Sequence, residues 1–109
     1  DNESYKFQVK TTASPFQRNK NKMVRWDIKK KISHTKKTRI YDKNEVDIFA
    51  FVYLPEDKIY FAANEKLGKT FQKRLECVKD FDPHKSLTTA IEIINILRER
   101  ENEKTKRAF

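Results

Sequence analysis

Cysteine, glycine and long apolar runs are scarce in this 109-residue sequence, which has one Cys, one Gly, three Pro and one Met. A single Cys77 excludes an internal disulfide and points to a reducing compartment. With only His34 and His84 beside it, it argues against a Cys/His zinc site. No stretch approaches the roughly 18 consecutive apolar residues of a membrane span. The first fifteen residues are polar, without a signal-peptide core. A soluble, intracellular (cytoplasmic) protein with no membrane contact is therefore expected. There is no internal repeat and no low-complexity linker. The length fits one domain spanning 1–109. Charged residues make up 38% of the chain, yet eight Phe, four Tyr and one Trp provide core material, so a folded domain is expected rather than disorder.

Acidic residues are scarce in one place. Between Arg18 and Arg39 stand ten basic residues (Arg18, Lys20, Lys22, Arg25, Lys29, Lys30, Lys31, Lys36, Lys37 and Arg39) and one acidic residue, Asp27. The formal net charge of +9 lies wholly in this 22-residue window, because the other 87 residues hold 15 charges of each sign. Like charge held together on one surface calls for a polyanion, and nucleic acid is the leading partner. The alternative is a solvated lysine-rich loop.

The order of elements reads as β-rich followed by one long helix. Tyr5, Phe7 and Val9 alternate with Lys6, Gln8 and Lys10, the period of a strand with one buried face, and Ser14-Pro15 ends it. On this reading Gln8 and Lys10 project together from the wet face. Val24, Trp26 and Ile28 alternate with Arg25, Asp27 and Lys29 in a second, exposed strand. The run Val46–Leu54 is apolar on both faces, as a strand covered on both sides must be. Pro55-Glu56-Asp57-Lys58 is turn chemistry, and Ile59–Ala63 returns as a hairpin partner. Thr70–Cys77 reads as an edge strand. Asp82 is a good N-cap and Pro83 a good first helical residue. Leu87, Ala90, Ile91, Ile94 and Leu97 then predict an amphipathic helix from about His84 to about Lys104.

Gln8-Val9-Lys10 puts a carbonyl-bearing side chain and an ammonium on one strand face, flanking a backbone carbonyl. Such a set can help hold a divalent cation through oxygen ligands while the lysine orients or acidifies an attacking water. Alone, Q-x-K also reads as no more than the wet face of a strand. Its context is QVKTT, a basic stretch, the block Tyr41–Tyr60 and the ending Phe71-Gln72-Lys73-Arg74-Leu75-Glu76. This order, from about Tyr5 to Glu76, resembles the PD-(D/E)XK endonuclease family, in particular its group I intron homing endonucleases. The resemblance implies an α/β fold with a restriction-endonuclease-like mixed β-sheet and a long C-terminal helix. It also implies that Gln8 and the carbonyl of Val9 help bind Mg²⁺ (magnesium) and that Lys10 assists the attacking hydroxide.

The departure from that pattern is at the front. The family carries an acidic metal ligand on the preceding strand and a helix before it, whereas only seven residues precede Gln8 here and the chain opens at Asp1. Asp1 and Glu3 fall in the turn leading into the Q-x-K strand. The expectation is an N-terminally truncated nuclease domain lacking the N-terminal helix and the Asp-bearing strand. When complete it would be a hydrolase, cutting the phosphodiester bonds of double-stranded DNA with Mg²⁺. The alternatives are a non-catalytic nucleic-acid-binding module with a basic β-arm, or a Holliday-junction resolvase.

Other residues carry two readings each. Asp47 caps or pairs structurally, or binds metal; Trp26 covers the sheet, or stacks on a base; Arg74 reaches a phosphate, or pairs with Glu76. His34, in the basic loop, is a phosphate or base contact, His84 a first-turn helix residue and Cys77 a small buried group. Ile93 and Ile96 widen the apolar sector of the helix. Two explanations stand: pairing with a second copy, as a homodimer or tetramer, or coverage by the missing N-terminal helix.

Overall fold

The computed structural model describes residues 4–28, 30–31, 38–39, 41, 45–65 and 67–108. It is a mixed α/β structure in which the apolar run expected to be covered on both sides forms the middle layer. The strands are β1 (Phe7–Thr12), β2 (Phe16–Arg18), β3 (Asn21–Asp27), β4 (Lys30–Lys31), β5 (Thr38–Arg39), β6 (Ile48–Tyr53), β7 (Lys58–Ala63) and β8 (Thr70–Arg74). Two helices follow, α1 (Leu75–Val78) and α2 (Pro83–Ala108). The first sheet has the order β1-β6-β7, with β1 parallel and β7 antiparallel to β6. The second, β2-β3-β8, is antiparallel, and β4 and β5 form a separate two-stranded ribbon.

Alternation along β6 builds two cores. Phe49, Phe51 and Tyr53 face the second sheet and are buried with Val24, Trp26, Ile28, Val46 and Val78. The rings stack closely there, with Phe51 and Phe71 centroids 4.3 Å apart. The Trp26 indole N–H donates to the Val52 carbonyl at 2.9 Å, so this buried aromatic also has its polar atom satisfied. On the other side of β6, Ile48 packs with Ala63 of β7 and with Ala90 and Ile94 of α2. Burial on both faces explains why the run shows no polar alternation.

The turns follow the expected chemistry. A 3₁₀ turn at Leu54–Glu56 joins β6 to β7 and ends at Asp57, whose φ of 51° is the left-handed region that Asp tolerates. Asn19, with φ of 56°, turns β2 into β3. At the start of α2, Asp82 Oδ1 accepts the Lys85 N–H at 3.2 Å. The buried Ser86 hydroxyl accepts the Phe61 N–H at 3.0 Å and donates to the Pro83 carbonyl, tying the helix to β7.

Four expectations are corrected. The faces of β1 are reversed: Gln8, Lys10 and Thr12 are half-buried, while Phe7 and Val9 are 46% and 56% exposed. The register aligns Phe7 and Val9 with Ile48 and Ala50 on the helix side, but α2 packs on β7 and leaves the β1 edge uncovered. The Val24, Trp26, Ile28 strand is not exposed but central in its sheet, with that face buried. The strand expected over Thr70–Cys77 stops at Arg74, because Leu75 and Val78, three residues apart, both reach the core only from a helical turn. Cys77, on the opposite side of that turn, is exposed.

Candidate active site and nucleic-acid interface

Gln8 and Lys10 lie on the inner face of β1, in register with Phe49 and Phe51 of β6. Lys10 is held in place: its Nζ donates to the Tyr41 hydroxyl at 3.0 Å and lies 4.8 Å from the centre of the same ring. The backbone of β1 has a direction too. The Lys6 carbonyl accepts the N–H groups of Asp47 and Ile48, so the even-numbered residues of the strand turn their backbone groups toward β6. Those of Phe7, Val9 and Thr11 therefore point to the other side. There, among the described residues, β1 is an edge strand. The Val9 carbonyl thus faces away from β6, with no strand paired to it among the described residues, beside Gln8 and Lys10.

Oxygen donors from an amide and a backbone carbonyl suit Mg²⁺, but such sites usually add one or two carboxylates. Among the described residues no three His, Cys, Asp or Glu side chains come together. The described residues alone therefore do not fit a full Mg²⁺ site: Gln8 and Val9 could contribute to one, and a carboxylate must come from elsewhere. Asp1 and Glu3 lie outside the described residues.

Asp47 has structural partners. Its Oδ2 accepts the Lys6 N–H at 2.8 Å and pairs with Arg98 of α2 at 3.3 Å. Arg98 also donates to the Ser4 carbonyl at 2.8 Å and lies 4.7 Å from the centre of the Tyr5 ring. The Tyr5 hydroxyl donates to Asn95 at 2.8 Å. Asp47 thus sits in a clamp that fastens the start of β1 to the long helix. No family model, curated protein or solved structure matches the chain.

The basic window divides among three places. Arg18, Lys20, Lys22 and Arg25 are exposed on β2, β3 and the turn between them. Lys30, Lys31 and Arg39 belong to the ribbon, where Lys30 pairs with Arg39 through the backbone. Lys29, His34, Lys36 and Lys37 lie outside the described residues. Trp26 is buried against Phe51 and Phe71 and cannot stack on a base. Arg74 pairs with Glu76 at 3.4 Å in an exposed contact. Gln72, which accepts from Arg18 at 3.2 Å, was not among the expected contacts. Its signal was the alternation of Gln72 and Arg74 with Phe71 and Lys73. Among the described residues, no helix is long and apolar enough to cross a membrane.

Proposed function

We propose that this chain is the core of a DNA-binding, Mg²⁺-dependent endonuclease domain of the PD-(D/E)XK type, acting on double-stranded DNA. The observation that carries the reading is the arrangement on β1: Gln8 and Lys10 share one half-buried face, and beside them the Val9 carbonyl turns away from β6, to what among the described residues is the edge of the sheet. A lysine fixed against Tyr41 keeps its charge at one point, as a group that must hold or orient a reacting water requires. Gln8 and Val9 would take part in holding the metal, with the carboxylate supplied from outside the described residues. The exposed cations of β2 and β3 would hold the phosphate backbone without reading sequence.

A second reading is a non-catalytic nucleic-acid-binding module, supported by the exposed cations of β2 and β3, which can hold a phosphate backbone without any chemistry. Cleavage separates the two. The endonuclease cuts duplex DNA in Mg²⁺, stops in EDTA, and loses cutting in Lys10→Ala while binding persists. Binding without cutting by the full-length protein that carries this core, or cutting by its Lys10→Ala variant at the parent rate, refutes the endonuclease assignment.

A further inference from the structure

The outer face of the β2-β3-β8 sheet gathers arginines. Register places Arg18, Arg25 and Arg74 on that face, one from each strand, along with Phe16, Met23, Gln72 and, at its far end from Arg74, the acidic Asp27 opposite Thr70. These are three of the seven arginines in a chain with eighteen lysines. Arg25 and Arg74 stand about two residues apart along adjacent strands, roughly 8 Å between Cα atoms from ordinary strand spacings. At the end of the sheet, Arg74 also lines a cleft of about 250 Å³ with Lys20, Lys22 and Lys79. Glu76 is the acidic side chain of that lining. The face and the cleft therefore meet at Arg74, and two of the cations, Arg74 and Lys79, lie outside the basic window.

We infer that this face and cleft form one continuous track for the phosphates of duplex DNA, with Arg74 and Lys79 each neutralising a phosphate. The inference rests on the DNA-binding half of the function proposed above and not on its catalytic half. Charge complementarity names a polyanion, and the aromatic side chains decide its form. Proteins that hold single strands offer open rings for bases to stack on. Here Phe16 is covered by the Arg25 guanidinium, 5.2 Å from the ring centre, and Trp26 is buried. What remains is a rigid sheet of planar, fork-shaped donors suited to phosphate oxygens. The Arg74–Glu76 pair does not oppose this use. Its side chains are 56% and 73% exposed, where such pairs contribute little and a phosphate competes readily.

Lys73 supplies an internal control. It neighbours Arg74 in sequence but is half-buried on the inner face, with its Nζ 5.9 Å from the centre of the Tyr60 ring and 5.5 Å from that of Phe71. The experiment measures the affinity of the full chain for a duplex of about 30 base pairs, as a function of salt and in EDTA so that catalysis plays no part. Arg74→Ala with Lys79→Ala should lower the salt slope by about 1.8, at roughly 0.9 for each phosphate that the variant no longer neutralises. Glu76→Gln should tighten binding, and Lys73→Met should leave the slope as in the parent. A parent slope in the Arg74/Lys79 double variant, or an equal fall in Lys73→Met, overturns the inference. Tighter binding of a single strand than of the duplex also overturns it. A parent with no salt-dependent duplex binding overturns the DNA-binding reading itself, and a parent that binds but does not cut leaves this inference standing.

Discussion

Replacing Asp47 distinguishes a structural carboxylate from a metal ligand. Its Oδ2 accepts the Lys6 N–H at 2.8 Å, a hydrogen bond to a charged group that contributes about 1.5 to 3 kcal/mol. The Arg98 pair at 3.3 Å adds less, under about 1 kcal/mol, because the Arg98 side chain is 38% exposed and screened by water. Asp47→Ala removes both and should destabilise the fold by about 2 to 3 kcal/mol, lowering Tm by roughly 10 °C in a domain of this size. Asp47→Asn keeps an acceptor for Lys6 and loses only the charge, so about 1 kcal/mol is expected. Arg98→Ala alone should also weaken the fold, and the Asp47/Arg98 double-mutant cycle should show coupling of about 0.5 to 1 kcal/mol. The assay is thermal unfolding followed by far-UV circular dichroism, with and without Mg²⁺. A metal ligand gives the opposite result: Asp47→Ala then unfolds at the parent temperature without Mg²⁺, and Mg²⁺ raises the Tm of the parent but not of the variant. Either outcome would refute the clamp.

Two further predictions concern the frame. Trp26→Ala leaves a cavity among Phe51, Phe71 and Phe81 and should cost about 3 to 5 kcal/mol in urea unfolding; Trp26→Phe, which strips a partner from the Val52 carbonyl, should cost about 1 to 3 kcal/mol. A parent midpoint for Trp26→Ala would contradict its place in the core. Ile93 and Ile96 should part company. Ile93 lines the apolar groove between β7 and α2, so Ile93→Glu should destabilise, whereas Ile96, 48% exposed, should accept Glu within about 0.5 kcal/mol. If the helix pairs two copies, Ile96→Glu also lowers the sedimenting mass to that of one chain, and an unchanged mass excludes the helix as the assembly surface.

The elements that were legible in the sequence are those whose burial is symmetrical or whose ends carry their own chemistry. Val46–Leu54 reads as a doubly covered strand because both alternating sets are apolar, and Asp82-Pro83 marks a helix start by capping alone. Period-2 alternation in Tyr5–Lys10 marks a strand but not which side is wet. That side was decided by the position of α2 over β7, a fact of tertiary packing that leaves Phe7 and Val9 outside and turns Gln8 and Lys10 inward. The same limit applies at Leu75–Val78, where two apolar residues fit a helical turn only because the core lies to one side. For the candidate site, the pairing of Gln8 with Lys10 on one face was legible, since alternation alone requires it. The Tyr41 contact to Lys10 and the Asp47–Arg98 clamp were not, because they join residues 31 and 51 positions apart in the chain. Arg74 was undecided for a similar reason. Only the register of β8 against β3 places it beside Arg25.

The central claim is that Lys10 serves cutting and not grip. The direct measurement is a single-turnover reaction on labelled duplex DNA, with the bound and the cleaved fractions read from the same sample. Protein is in excess over DNA, and Mg²⁺ is saturating except in the EDTA control. The account predicts that, in the full-length protein carrying this core, Lys10→Ala binds the duplex as the parent does and leaves it intact, while the full-length parent cleaves it and stops when EDTA removes the metal. Cleavage by Lys10→Ala at the parent rate, or a loss of binding that matches the loss of cleavage, would contradict it.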